Sequence, residues 1–558
     1  MNNKYLFIFA ITVFLVLSIS GAGIYLNDEW MVGQQLNQLS QGHQTLYNEG
    51  KYGYYSNGTA GYYMTARSNI LIYSMALPIL SIPAFLLFTA LSTEYTRIFI
   101  IVFWGLLGFY ILNYIKPIIS KSITTLLFWG FLALLCYNLT TSTNFIMTGK
   151  FTPYEMIPIV FTNILLYGIF SITCFKITEI LFAEKFKQLV GWISCIAMTS
   201  LMFWSTTLKD HMLIATIIMI ICYLHFQYNI EGKIWQRIIK YILVGLTVWI
   251  RPEVGIFIAL STIIFDLYYY RPSIKEFIII STFMAIGAVQ LAVNNYISTG
   301  NPLSLPFAIS AKGNISGNIV SGNIITQLSS VTIKNYDLIS QFGISNPIKW
   351  IELIFAPTSG ALGLIVPLCL FIFSILIYIK YRPVLSNNLK FLLTVGLSSI
   401  AYYILYAGIY LGEDGGIIPD LRYFTTAYTV LTLFALSIIP YNLNYKKIFK
   451  NIFIYVPIVI IISIFIISIY PPIGETYKTY RMIPHLISTL SIAAMAILLI
   501  NDENTKPEKW MGRFIPLAIT SAFTWQIIIV FVYYTSKAHY YPMFLPITEL
   551  LYKLLFGV

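Results

Sequence analysis

Two adjacent carboxylates, Asp28 and Glu29, directly follow the first apolar run of the chain. Like charges held close together raise the pKa of one partner, which suits a general base that takes a proton from a hydroxyl group. Acids are also common where a solvated loop simply begins. Both interpretations carry equal weight on the sequence alone.

A second polar segment, Lys209-Asp210-His211, lies between helices predicted at 189–207 and 211–228. It combines donors, a carboxylate acceptor and a titratable ring in a turn so short that all three groups must lie near the membrane surface. This combination favours a functional role. The alternative is a set of helix-end side chains that reach toward water.

Arg251 interrupts a long apolar stretch and is followed by Pro252, which ends the helix there. An arginine in such a stretch usually faces a cavity or a partner, and a guanidinium group matches the geometry of phosphate oxygens. The alternative is an internal ion pair with Glu253 or Asp266. Two further candidate cations are Arg422, which precedes a helix predicted at 424–440, and Lys51, in the polar loop after the first apolar run.

The composition identifies the elements that must position these groups. Hydrophobic residues make up 58% of the 558 residues, charged residues make up 10%, and the mean hydropathy is +0.77. A chain this apolar cannot cover a globule with polar surface, so lipid must solvate much of it. The sequence therefore predicts an all-α polytopic membrane protein and excludes a soluble enzyme, a nucleic-acid binder and a disordered scaffold.

The 34 Lys and Arg residues against 22 Asp and Glu residues predict how the chain is oriented. Cytoplasmic loops collect Lys and Arg, and most of these residues lie in short connectors. The longer connections 27–68 and 297–360 then lie outside, and the net charge of +12 needs no nucleic-acid partner. If the first span runs outward and the connector 116–121 is cytoplasmic, only one full crossing can lie between them, so 69–91 is not an ordinary span. Pro78 and Pro83 predict a broken re-entrant or interfacial segment there, which gives about 15 crossings.

The order of these segments resembles the GT-C superfamily, whose members are polytopic glycosyltransferases that use polyprenyl- or dolichyl-phosphate sugars. Protein O-mannosyltransferases, lipid A aminoarabinose transferases and archaeal dolichyl-phosphate-mannose transferases belong to it. The matching segments are Asp28-Glu29, Lys209-Asp210-His211, Arg251-Pro252 and Leu421-Arg422-Tyr423-Phe424. The resemblance covers the first half of the chain well and the second half only at Arg422.

The resemblance implies a role for each matching residue. Asp28 would be the base that deprotonates the acceptor, with Glu29 as its companion, and Asp210 would orient acceptor or donor. The donor phosphate would be held by Arg251, and by Lys209, Arg422 and Lys51. His211 adjoins this set. The chain has no Asp-X-Asp motif, so nothing indicates a divalent cation, and no other cofactor is expected.

The expected function is transfer of a sugar, mannose by the resemblance, from a lipid phosphate to a glycan, protein or lipid at the outer face of the cell membrane. A flippase or transporter of a lipid-linked glycan and a polysaccharide polymerase or ligase are the alternatives. The expected organisation is a transmembrane module at 1–296 with its first outer loop at 27–97, a large outer loop at 297–360, and a second transmembrane module at 361–558.

Overall fold

A computed structural model of the chain describes residues 3–21, 29–42, 74–143, 154–197, 199–303, 374–406, 425–439, 443–469, 493–494, 497, 507–537 and 543–556. These residues are almost entirely helical, and their one β-bridge joins Gly21 to Met543. Most of the predicted outer loops 27–68 and 297–360 lie outside the described residues.

The main helices are named here in chain order. They are α1 Asn3–Ile19, α2 Glu29–Ser40, α3 Ala76–Ile115, α4 Lys121–Thr140, α5 Met156–Leu181, α6 Lys185–Ala197, α7 Leu201–Trp204, α8 His211–Glu231, α9 Ile234–Ile250, α10 Pro252–Tyr269, α11 Ile274–Thr299, α12 Asn387–Tyr406, α13 Thr425–Ile438, α14 Tyr445–Ile469, α15 Pro507–Lys537 and α16 Pro546–Phe556.

Seven of the described helices are long and apolar enough to cross a membrane: α3, α4, α5, α8, α10, α11 and α14. Several expose large apolar side chains, such as Leu126 and Trp129 of α4, which are 73% and 62% exposed. Exposed leucine and tryptophan on a spanning helix are what lipid solvation requires. The prediction of an all-α, multi-pass membrane protein is confirmed.

The predicted break at Pro78 and Pro83 is wrong. The chain is helical from Ala76 onward with Pro83 inside the helix, and it departs from helical geometry at Ser92, whose φ and ψ are 59° and 175°. Pro78 lies in the first turn, where a missing N–H breaks no helical bond. The turn in α3 is therefore set sixteen residues after its start rather than by either proline.

The contacts of α1 and α5 show which helix ends lie together at each end of the bundle. Near its start, Lys4 forms an ion pair with Glu179, close to the last turn of α5. The first residue of α5, Met156, lies against α2 instead, since a Cβ placed at Gly33 would be 3.8 Å from its side chain. We call the end where α1 finishes and α5 begins the site end, and the other the opposite end.

Helix α16, the last described helix, is attached to α1 and α3 at the site end. The Arg97 Nη2 atom lies 3.0 Å from an oxygen of Glu549 and 2.8 Å from the Met543 carbonyl oxygen, and Arg97 is 1% exposed. The Thr548 hydroxyl donates to the Ser18 carbonyl at 2.5 Å. One buried arginine and one threonine thus join the last described helix to α3 and to the end of α1.

Helices α9 and α11 approach each other closely because each carries a glycine at their crossing. A Cβ placed at Gly245 would lie 2.1 Å from the Met284 carbonyl oxygen, and one placed at Gly287 would lie 2.2 Å from the Ile242 carbonyl oxygen. Any larger residue at either position would force the backbones apart. Small residues at crossings are typical of helix pairs in membranes.

Helices α8, α9 and α10 meet at the opposite end in a group of buried ionisable side chains: His225, Arg237, Lys240 and Asp266. We call these residues the opposite-end cluster. The Lys240 ammonium lies 2.8 Å from Asp266 Oδ2, and the Arg237 guanidinium lies 3.5 Å from the same atom. The His225 ring stacks on Phe391 with centroids 3.6 Å apart. None of the four ionisable residues is more than 2% exposed.

Candidate functional site

The centre of the site is an ion pair between Arg251 and Asp210, residues 41 positions apart in the chain. The Arg251 Nε and Nη2 atoms lie 3.1 and 3.0 Å from the same oxygen, Asp210 Oδ1. The two side chains are 10% and 13% exposed. The pair is therefore largely sheltered from bulk solvent, with a small part of each side chain still exposed.

His211 joins this pair to two other parts of the fold. Its Nε2 atom is 3.4 Å from Arg251 Nη2, and its Nδ1 atom is 3.5 Å from the Thr425 hydroxyl at the start of α13. The ring packs on Trp204 with centroids 4.3 Å apart. The imidazole thus lies where α7, α8, α13 and the junction of α9 with α10 meet.

Arg251 occupies the apex of a tight turn between two helices. Helix α9 ends at Ile250, Arg251 adopts an extended backbone conformation, and Pro252 takes the first helical position of α10, where its missing N–H costs nothing. Gly255 allows α10 to fold back directly, since a Cβ there would lie 2.3 Å from the Thr247 carbonyl carbon. The predicted helix end at Pro252 is confirmed, with the boundary between Arg251 and Pro252.

The turn at 205–210, which carries Lys209 and Asp210, is fixed from α5. The Asn163 amide nitrogen donates to the carbonyl oxygens of Thr207 at 2.8 Å and Lys209 at 3.0 Å, and Asn163 is fully buried. The Lys209 side chain is 4% exposed. A single buried amide therefore satisfies two carbonyl groups of a turn that would otherwise carry them unpaired into the interior.

Helix α2 brings Glu29, the second of the two first-loop acids, toward this turn. Glu29, its first residue, is fully buried. One helical turn later, a Cβ placed at Gly33 would lie 3.8 Å from the Leu208 side chain. Glu29 therefore lies one turn of helix from the point where α2 packs against the 205–210 turn. Asp28, which precedes α2, lies outside the described residues.

The structure places five of the eight predicted site residues. Asp210, His211 and Arg251 are in direct contact, Lys209 is buried in the same turn, and Glu29 is buried on neighbouring α2. Asp28, Lys51 and Arg422 lie outside the described residues.

The alternative of an internal ion pair at Arg251 is confirmed, but Asp266 is the wrong partner. Arg251 pairs with Asp210, and Asp266 lies in the opposite-end cluster with Lys240. The prediction of one continuous helix at 189–207 is also wrong, because α6 ends at Ala197 and the short helix α7 begins at Leu201.

Some residues near the site were missed by the sequence analysis. Glu155 is 4% exposed and immediately precedes α5, beside the Met156 that packs near Gly33. An acid before an apolar run, soon after Pro153, is a detectable helix-start signal. Asn163 carried no such signal, because a single amide in an apolar helix does not reveal its partner.

Cations and acids are mixed in this site. The Arg251 guanidinium group contacts the Asp210 carboxylate and the His211 ring, and the buried Lys209 lies in the same turn. Glu29 begins α2, and Glu155 immediately precedes α5. Cations of this kind can bind a phosphate, and a carboxylate that pairs with arginine fixes where the guanidinium points. Among the described residues, no group of three or more His, Cys, Asp or Glu side chains is placed to hold a metal ion.

The sequence matches no known protein-family profile and no curated protein. Among solved structures, the chain is similar to ArnT from Cupriavidus metallidurans, in a crystal structure bound to undecaprenyl phosphate, with a TM-score of 0.45 and 8% sequence identity. The likeness covers 94% of this chain and 77% of that chain.

Proposed function

We propose that this protein is a membrane glycosyltransferase that moves a sugar from a polyprenyl- or dolichyl-phosphate donor to an acceptor hydroxyl at the outer face of the membrane. The observation that supports it most is the partly exposed pair of Arg251 and Asp210 beside His211 and Lys209. The order of these segments also resembles the GT-C superfamily. Mannose is the sugar that this resemblance suggests, and the acceptor is a glycan, a protein or a lipid.

The proposed reaction is a displacement at the anomeric carbon. The acceptor oxygen attacks that carbon, its proton passes to Asp28, and the bond from the carbon to the phosphate oxygen breaks. The lipid phosphate leaves with one more negative charge than it carried in the donor. Fixed cations at that point lower the barrier, because the charge develops where they already lie.

Each site residue has a proposed role in this reaction. Arg251 binds the leaving phosphate, Asp210 orients its guanidinium group, and Lys209 adds a second positive charge nearby. Glu29 is the companion of Asp28. Arg422 and Lys51 are proposed as further phosphate ligands on the resemblance alone, and His211 supports Arg251 by its contact with the Nη2 atom.

The test is sugar transfer by the purified full-length protein, supplied with a panel of polyprenyl-phosphate sugars and acceptors. Asp28→Asn is expected to lose transfer while it still binds donor. Arg251→Ala is expected to lower transfer by about 10²–10³-fold, the usual effect of removing one group that stabilises the developing charge. Arg271→Ala is the matched control, because Arg271 is an exposed arginine after the end of α10.

Transfer that survives Arg251→Ala at the wild-type rate would contradict the proposed phosphate site. A wild-type protein that transfers no sugar from any of these donors would contradict the enzyme altogether.

A flippase for a lipid-linked glycan is the second candidate, and the opposite-end cluster favours it. Ionisable side chains buried among spanning helices often mark a transport pathway. Reconstituted vesicles that contain a labelled lipid-linked glycan distinguish the two functions. A flippase moves the label to the other leaflet without changing it, whereas the enzyme transfers the sugar and leaves the lipid phosphate behind.

A further inference from the structure

The helical conformation is interrupted between α6 and α7, shortly before the turn that carries Lys209 and Asp210. We call this interruption the break. Helix α6 ends at Ala197 and α7 begins at Leu201, and Ala197 and Leu201 are each 1% exposed or less. A helix end leaves carbonyl groups without partners, and a helix start leaves N–H groups without partners. Among spanning helices, where water is absent, such a break survives only if protein groups take their place.

One side chain from the second half of the chain satisfies both sides of this break. The Gln526 amide nitrogen of α15 donates to the carbonyl oxygens of Ile196 at 3.0 Å and Ala197 at 2.6 Å. Its amide oxygen accepts from the Met202 backbone N–H at 3.1 Å. Gln526 is fully buried, and it lies more than 320 positions from each of these partners.

The three bonds use Gln526 in a way that few other side chains could. Only a primary amide offers two donors and an acceptor on one planar group without a charge. The donors end α6, and the acceptor caps the start of α7. A fourth bond reaches the same break from α5, where the Tyr167 hydroxyl donates to the Ile196 carbonyl oxygen at 3.1 Å.

The break leads directly to the site. Helix α7 contains only residues 201–204, and its last residue, Trp204, packs on the His211 ring that contacts Arg251. The start of α7 is held by Gln526, and the turn after it is held by Asn163. The position of Lys209, Asp210 and His211 therefore depends on two buried amides from distant helices.

We propose that Gln526 is a positioning residue for the phosphate site, which it controls by fixing the break between α6 and α7. The proposal rests on the proposed function in that the site holds a lipid phosphate. It gives a role to the carboxyl-terminal half of the chain, in which Arg422 alone had been a candidate.

The test compares full-length wild type with Gln526→Leu, which has similar volume and no hydrogen bonds. Two measurements are made on the folded protein in detergent: hydrogen–deuterium exchange along the backbone, and binding of farnesyl phosphate, a short isoprenoid phosphate. We expect at least about tenfold faster exchange within 199–211 and about tenfold weaker binding, because Gln526→Leu removes three bonds at the break and each lost bond changes an equilibrium constant by about threefold or more. Exchange in α9 is expected to stay unchanged.

Thr524→Val is the matched control on the same helix. Thr524 is fully buried, its hydroxyl bonds to no other described residue, and valine keeps its shape. We expect both measurements to match the wild type. If Gln526→Leu fails to fold, Tyr167→Phe removes a single bond to the same break, and we expect about threefold changes in the same direction.

A folded variant at Gln526 or Tyr167 with wild-type exchange in 199–211 would overturn the proposal. So would faster exchange there with unchanged farnesyl phosphate affinity, because Gln526 would then be structural only. If wild type itself binds no farnesyl phosphate, the proposed function fails, and the positioning role for this phosphate site fails with it. The exchange measurement would still show separately whether Gln526 holds the break.

Discussion

Two groups of charged side chains tie α8, α9 and α10 together, one at each end of these helices, and they differ in burial. The opposite-end cluster is enclosed, with each of its ionisable residues at most 2% exposed. At the site end, Arg251 and Asp210 keep 10% and 13% of their side-chain surface exposed. The opposite-end cluster is closed to solvent, whereas the pair at the site end keeps side-chain surface that a ligand can contact.

The carboxylates of the two groups, Asp266 and Asp210, also differ in how many partners they have. Asp266 Oδ2 accepts from the Lys240 ammonium and the Tyr241 hydroxyl, each at 2.8 Å. The Arg237 guanidinium lies 3.5 Å from the same oxygen, so this single carboxylate pairs with two cations, and its loss would leave both of them buried without an anion. Asp210 pairs with one guanidinium group beside solvent, so that its loss can be offset by water.

The largest expected effect tests the enclosed cluster. Asp266→Asn leaves Lys240 and Arg237 buried without an anion, and we expect it to cost about 3–5 kcal/mol of unfolding free energy. Denaturant or thermal unfolding of the purified protein in detergent measures this loss. Glu231→Gln, at an exposed pair with Lys233, is the control. A fully stable Asp266→Asn protein would remove the distinction between the two clusters.

The next effect tests the partly open pair. Asp210→Asn keeps the shape of the side chain but removes the charge that fixes the Arg251 guanidinium. We expect sugar transfer to fall by about 10–100-fold, the range for a lost hydrogen bond to a charged group, while stability changes little. Combined with Arg251→Ala, the two losses should not add, because they act on one interaction. Additive losses would separate their roles.

A smaller effect concerns the buried amide that holds the site turn. Asn163→Leu leaves the Thr207 and Lys209 carbonyl groups without their donor, and we expect a loss of about 1–3 kcal/mol in unfolding free energy. Thermal unfolding of the variant measures it. The neighbouring Thr162→Val is the control, since the Thr162 hydroxyl bonds only within its own helix, at 2.8 Å to the Pro158 carbonyl. Equal losses in both variants would argue that the turn does not depend on α5.

The smallest effect is expected at an exposed pair. Lys233 and Glu231 lie 2.8 Å apart, but their side chains are 58% and 36% exposed. We expect Lys233→Ala to change the unfolding free energy by less than about 1 kcal/mol, since water and salt screen such pairs. The same unfolding measurement serves here. A loss as large as that of Asp266→Asn would show that burial does not govern these pairs.

The sequence revealed those features whose signal is local. The arginine and proline at 251–252 interrupt an apolar run, and the residues at 209–211 form a polar turn between two apolar runs. Both segments could therefore be identified as parts of one site from the sequence. Composition was enough for the all-α membrane architecture. The physical reason is the cost of a charge or a proline in a spanning helix, which makes each of them conspicuous.

What the sequence did not reveal depends on partners far along the chain. Gln526 and Asn163 are single amides in apolar helices, and nothing beside them in the sequence points to the carbonyl groups that they satisfy. The turn in α3 falls at Ser92, while Pro83 stays inside the helix, so the prolines did not mark the place where the helix turns.

The attachment of α16 to the first helix has a consequence for biosynthesis. Thr548 and Ser18 are 530 positions apart, so their bond can form only after the 530 residues that follow Ser18 have been translated. At about 5–20 residues per second, α1 waits roughly 30–100 s in the bilayer before this partner emerges from the ribosome. During that interval, lipid or an insertion factor covers the surface of α1 that α16 contacts in the folded protein. It must leave this surface before α16 can pack there.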